Sequence, residues 1–359
     1  MRALVRASSV DSVVRVTGNF TSESPLHPAA REALLAAFDQ GWADPKKISQ
    51  SSSKAAILRN QALESIASRL GISAASIEVL GEPSFGHYLS IAGLFSAHSP
   101  FAYSSIDKGK IRDVARSRTA QLIELPVSHG GTILKSAELA PGTVLSLQIA
   151  NGETGVIQSQ FDIPSDIRVA IDATSSGVRV SLPQQWSTAL FDSLSWNGPA
   201  GLAIMAIKDR SAYSYPLPRI APISSPGSYS LPLLIASAVA LENFVVEDSS
   251  IRDYALAQFS SLPGITVVAP ASQAMPHVLS IVAEGVAGEP VVRELAAHDI
   301  NVDSGSACSP EDLQPSHVLA AMGYETNGHL RFTFHNGTTK DEIANLLTKF
   351  QEVIQKLRG

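Results

Sequence analysis

Apolar and polar positions alternate along the chain in two rhythms. Near the C-terminus, Ile343, Leu346, Leu347, Phe350, Val353, Ile354 and Leu357 recur at three- and four-residue spacing behind Thr339 and Glu342. A stripe preceded by a capping-box pair predicts one long helix. The same spacing, with Pro at the starts or Gly at the stops, predicts helices over 28–38, 54–70 before Gly71, 290–297, and 315–322 before Gly323. Between them, short runs at 77–80, 121–125, 144–150, 168–173, 202–207, 279–282 and 330–334 read as strands. Strands alternating with helices predict a largely parallel sheet. The expected fold class is α/β, with a large domain over 16–240 built on about seven strands. A smaller αβ domain takes 241–359, with residues 1–15 adding an edge. The Pro- and Ser-rich stretch 213–229 reads as an ordered loop or domain edge.

Composition removes several function classes. The chain has 359 residues, 45% apolar and 17% charged, which suits a large buried core. Against 27 Lys and Arg stand 33 Asp and Glu, a net charge of -6, with no basic run, so nucleic acid is not the expected partner. The strongly apolar stretch 231–241 is about half of a membrane span and contains Pro232, so a buried helix is expected there and no membrane. A single cysteine, Cys308, excludes an internal disulfide, and the first residues lack a secretory apolar run, which together predict a cytoplasmic location.

Cys308 is also the first candidate for chemistry. It lies in Asp303-Ser304-Gly305-Ser306-Ala307-Cys308-Ser309-Pro310-Glu311-Asp312, where Ser309 suits an N-cap and Pro310 the first helical position. A thiol just before a helix N-terminus is favoured as thiolate, though Glu311 and Asp312 oppose this. The alternative from composition alone is an ordinary Ser/Gly connection with an incidental buried cysteine. A protease-like pairing of Cys308 with His317 or His335 lacks any nucleophile motif of that class.

Residues 304–309, followed by Gln314-Pro315-Ser316-His317-Val318-Leu319 and Met322-Gly323, closely resemble the cysteine-loop region of NifS/IscS-type cysteine desulfurases, pyridoxal-phosphate enzymes of the class V aminotransferase family. The likeness extends through His329-Leu330-Arg331-Phe332-Thr333 and back through 285–289, and more weakly through 21–28, 150–155 and Ile171-Asp172-Ala173-Thr174. It implies a pyridoxal-phosphate-dependent transferase fold of type I and a homodimer across which stretch 215–229 passes. Position by position, it makes Cys308 the persulfide-forming nucleophile and Arg331 the clamp for a substrate carboxylate. It makes Asp172 the partner of the pyridinium nitrogen and Asn151, or its neighbour, a substrate or cofactor contact. Ser84, with Gly227 and Ser228 from a partner subunit, remains as a phosphate donor. No metal is implied. The partners implied are a desulfurase, a sulfur acceptor or an iron-sulfur scaffold protein.

The departures bear on activity. The family's Schiff-base lysine falls on Ser195 in Ser193-Leu194-Ser195-Trp196-Asn197-Gly198-Pro199, and its histidine on Leu194. A hydroxyl forms no imine. The ring-stacking histidine corresponds to Lys108, the glutamine after the ring aspartate to Ser175, and the glycine-rich phosphate turn to Glu82-Pro83-Ser84. Weak or absent cofactor binding is therefore expected, and impaired or lost desulfurase turnover, with Cys308 still able to accept sulfur. Two other readings stand beside this one. In the first, an active desulfurase or lyase uses Lys108 or Lys208 as a relocated lysine. In the second, the chain is a non-catalytic partner subunit of an intact desulfurase.

Overall fold

The computed structural model describes residues 17–39, 43–96, 98–134, 139–158, 162–217, 229–305 and 315–359. In chain order these contain β1 (Asn19–Phe20), α1 (Pro28–Asp39), α2 (Gln50–Leu70), β2 (Ile77–Leu80), α3 (Pro83–Ala92), β3 (Phe101–Ser104), α4 (Gly109–Arg116) and β4 (Leu122–Leu125). There follow β5 (Val144–Gln148), β6 (Arg168–Asp172), β7 (Thr188–Asp192), β8 (Ala203–Ile207), α5 (Leu231–Asn243) and α6 (Ser250–Ser260). The chain ends with β9 (Ile265–Val267), β10 (Val278–Ala283), α7 (Gly288–Ala296), β11 (Asn301–Val302), α8 (His317–Met322), β12 (His329–Thr333) and α9 (Lys340–Arg358).

Seven strands form one sheet in the order β2-β8-β7-β6-β5-β3-β4. The pairs from β4 through β7 are parallel, and only β8 runs against its neighbours. Both faces are covered, which is why the strands carry apolar side chains at nearly every position. Val169, Ile171, Ala189 and Phe191 face α1, α2 and α5. Ala170, Leu190, Ala203 and Met205 face the other way, toward α3 and α4. Helix α5 is buried along almost its whole length, as its lack of a polar face requires. Among the described residues no helix is long and apolar enough to cross a membrane.

A second, antiparallel sheet, β12-β10-β9, packs against α6, α7 and α9. Its core is aromatic: the Phe259 ring stacks on Phe332 at 4.9 Å and meets Phe350 edge-on at 5.3 Å. Strand β1 pairs in parallel with β11, so the segment before α1 reaches across to this part of the chain. The expected edge from residues 1–15 lies outside the described residues.

The capping box is formed, with the Thr339 amide donating to Glu342 Oε2 at 2.9 Å and the Glu342 amide to Thr339 Oγ1 at 3.3 Å. Replacing Thr339 by Ala is expected to cost about 1 kcal/mol, read as a lower denaturant midpoint at unchanged slope.

Candidate functional site

The C-terminal ends of parallel strands are where such sheets bind ligands, and β6 ends in Asp172. Its Oδ1 accepts from the Thr174 amide at 2.9 Å and the Thr174 hydroxyl at 2.5 Å, an Asx turn that fixes the carboxylate. Its Oδ2 makes no hydrogen bond among the described residues but lies 3.5 Å from Lys108 Nζ and 3.4 Å from His87 Nε2. Burial alone would raise this carboxyl. Lys108 first, then His87 and the hydroxyl of Thr174, instead hold it well below the usual carboxylate range. Lys108, which precedes α4, also donates to Thr174 Oγ1. The neighbouring Asp107, wholly buried, is pushed up to about 7 by burial and the nearby charge of Asp172.

Helix α3 starts at one end of this cluster. Glu82 caps it, its Oε1 accepting the Ser84 amide at 2.7 Å, while Lys110 donates to the Ser84 hydroxyl. The expected phosphate donor Ser84 therefore has its amide and its hydroxyl engaged by its own chain.

Ser195 sits in a one-turn 3₁₀ segment after β7, its hydroxyl donating to the Asp192 carbonyl at 2.6 Å. Arg179 holds the same turn from below: Nη1 donates to the Ser195 carbonyl at 2.5 Å, and Nε and Nη2 pair with both oxygens of Glu247. Lys208 lies elsewhere, with Nζ on the Gln184 carbonyl at 2.9 Å and near the Trp186 ring. The structure thus removes Lys208 from the candidates for a relocated lysine, because β8 carries it to the surface.

A cavity of about 580 Å³ opens above Ser195 and Thr174 and is walled by Arg331, His277 and His335. Arg331 on β12 pairs with Asp303 and donates to the Gly152 carbonyl at 3.0 Å. Asp303 Oδ2 also accepts the Ser22 amide at 2.7 Å. Asn151 does not line the cavity. Its Oδ1 accepts the amides of Glu153 and Thr154, and its Nδ2 donates to Gln148 and the Ile106 carbonyl, so its polar atoms shape the turn. Of the expected contact, Asn151 or its neighbour, it is the neighbour Gly152 that lines the cavity.

Charge pairs missed in the sequence complete the site. The side chain of Glu153, raised by burial, accepts from Ser316 and lies 3.4 Å from His329 Nδ1. His329 donates or accepts at Ser280 Oγ across 2.7 Å and is lowered to about 3, by burial first and then by Arg331. His277 is lowered well below the usual histidine value, by burial first and then by the charges of Arg179, His335 and Arg331. Cys308, Gly227 and Ser228 lie outside the described residues.

The class-V aminotransferase pattern matches residues 226–346. The cysteine desulfurase IscS of Dictyoglomus turgidum is 24% identical over a 380-residue alignment covering 95% of this chain and 94% of that protein. The chain is similar to cysteine desulfurases and, over its C-terminal third, to class-V aminotransferases. IscS of Pseudomonas aeruginosa is 33% identical over 129 residues, 34% of the desulfurase-like chain and 31% of that protein. Among solved structures, a NifS-like protein superposes with a TM-score of 0.82 at 18% identity, covering 95% of this chain and all of that one. The Escherichia coli cysteine desulfurase CsdA gives 0.76 at 17% identity, covering 99% and 98%. The fold is that of the type I pyridoxal-phosphate enzymes, a mostly parallel mixed sheet with helices on both faces.

The family works with pyridoxal phosphate. The residues of the desulfurase-like chain do not fit that group. An ammonium, Lys108, stands against the Oδ2 of Asp172 that would meet a ring nitrogen. The first free amide of α3 is taken by Glu82, and Ser195, expected from the resemblance at the imine position, carries a hydroxyl where an imine needs an amine.

Proposed function

We propose that this desulfurase-like chain has lost the pyridoxal-phosphate reaction of its relatives and takes part in moving sulfur derived from L-cysteine without performing the cleavage itself. The observation that carries this reading is Ser195, hydrogen-bonded to its own turn, together with the Lys108 ammonium engaged by Asp172. A nucleophilic amine must present a free lone pair, and an ion-paired ammonium does not. On incubation with pyridoxal phosphate and borohydride, mass spectrometry is expected to find no reduced pyridoxyl adduct, and Ser195→Lys alone is expected not to restore one. An adduct on Lys108 would replace this reading with that of an active enzyme using a relocated lysine.

In the same reading Cys308 is a sulfur acceptor. Its thiolate attacks the outer sulfur of a donor persulfide; the donor's S–S bond breaks, the donor leaves as a thiolate, and Cys308 carries the new persulfide with no outside oxidant. The protein works as a homodimer, the commonest closed association, with an intact desulfurase or an iron-sulfur scaffold as its sulfur partner. Exposure to an active desulfurase and cysteine should add one sulfur to wild type and none to Cys308→Ser. If wild type gains none, the chain's contribution is that of a partner subunit acting through its surface.

A further inference from the structure

We propose that the cleft is liganded by the chain itself: the Lys108 ammonium and the Asp303 carboxylate occupy, as built-in ions, a cation site on Asp172 and a carboxylate site on Arg331. This deepens the cofactor-free reading and rests on it.

Asp172 is buried and Arg331 partly so, and each carries a buried polar atom without a hydrogen-bond partner among the described residues, which is the physical sign of a site made to hold something. Asp172 is 4% exposed, and its Oδ2 has no hydrogen-bond donor among the described residues. Arg331 has a buried Nε likewise without an acceptor. A buried charge in this condition demands a counter-ion. In each case the counter-ion comes from a different stretch of chain, with a longer or more exposed side chain than the host. Lys108 is 32% exposed and reaches in from the residue before α4. Asp303 is 21% exposed and follows β11. Lys108 also donates to Thr174 Oγ1, but Thr174 holds Asp172 through its own amide and hydroxyl, and the backbone bonds that tie Asp303 to Arg331 do not use the Asp303 side chain. Thr174 organises Asp172, and the Gly152 carbonyl organises Arg331. The visiting ion can therefore be removed while the receptor stays shaped.

Each receptor has its own selectivity. A single buried carboxylate oxygen beside the His87 imidazole suits a small organic monocation such as a primary alkylammonium. A guanidinium with a carbonyl behind it suits a small carboxylate, which it binds through a planar pair of N–H groups. The Ser22 amide, which also donates to Asp303, supplies a third donor to that anion.

The test is chemical rescue, followed by thermal unfolding without pyridoxal phosphate. Lys108→Ala and Asp303→Ala are each compared with wild type in sodium acetate, ethylammonium chloride and sodium chloride at equal ionic strength. Acetate at ~100 mM is expected to raise the Tm of Asp303→Ala by about 2–5 °C over sodium chloride and to leave Lys108→Ala unmoved; ethylammonium is expected to do the reverse. Wild type, already filled, should respond to neither. A rise without charge selectivity, a wild-type response of equal size, or no rise in either variant overturns the proposal. If Lys108→Ala does not fold, the partly exposed Asp303 arm decides alone, and absence of an acetate-selective rise there overturns it. A pyridoxyl adduct in the borohydride experiment would undo the cofactor-free reading, whereas a failed rescue alone would leave that reading standing, so the two failures are distinguishable.

Discussion

Arg179→Met is expected to destabilise the protein by about 3–5 kcal/mol, the usual cost of breaking a buried ion pair by removing one partner. Arg179 and Glu247 are 5% and 8% exposed, and the guanidinium uses Nε and Nη2 on both carboxylate oxygens at 2.7 and 2.5 Å. Its carbon also lies 4.7 Å from the centre of the Phe244 ring, a cation–π contact that a methionine stem only partly replaces. The variant would leave Glu247 buried and unpaired. Replacing both residues by methionine should therefore cost less than Arg179→Met alone, because no orphaned charge remains. Equilibrium denaturation of the two single variants and the double variant measures this directly. A single-variant loss below 1 kcal/mol would show that the pair is not a structural anchor. Because Nη1 also holds the Ser195 carbonyl, amide exchange over 193–198 should speed up in Arg179→Met more than in the sheet.

Acidification from pH 7 toward 4 is expected to lower stability through two buried histidines. His329 is lowered to about 3 and His277 well below its usual value, so the folded protein keeps both neutral while the unfolded chain takes up protons near pH 6.5. Their stabilisation is complete above that pH and is lost as pH falls toward the folded values, at about 1.4 kcal/mol per unit for each group. Asp107 acts in the opposite sense. Raised to about 7, its carboxyl stays protonated in the folded state after the unfolded chain has ionised, so its contribution is complete below about pH 4 and is lost on going up to 7. Unfolding free energies against pH should therefore show a shallower acid slope for His329→Gln and a steeper one for Asp107→Asn. Curves parallel to wild type in both variants would refute these assignments.

What could be read from the sequence was local. The Thr339–Glu342 cap, the helix stops at Gly71 and Gly323 in the left-handed region, and Asp172 at a strand end each depend on neighbours within a few residues. Strands β3 and β7 escaped notice: four and five residues long and buried on both faces, they show no period-two alternation. Helix α3 escaped for the opposite reason, since Gly86 and His87 interrupt its apolar face. Gly86 is there because a Cβ would fall 2.5 Å from the Leu190 side chain. The charge pairs escaped because they are non-local: nothing in the composition around Lys108 or Asp303 says which buried partner waits on another strand.

The segment between β1 and α1 is tied at both ends. Its Ser22 amide is held by Asp303 and its Thr21 carbonyl by His335, both beside the three-stranded sheet, while Ser24 and His27 are bonded to Asn197 beside the seven-stranded one. Mechanically this is a brace across a gap. The width of the cavity is set by the length of a few residues near the start of the chain. The two sheets cannot swing apart by even one hydrogen-bond length without breaking the brace at one of its ends.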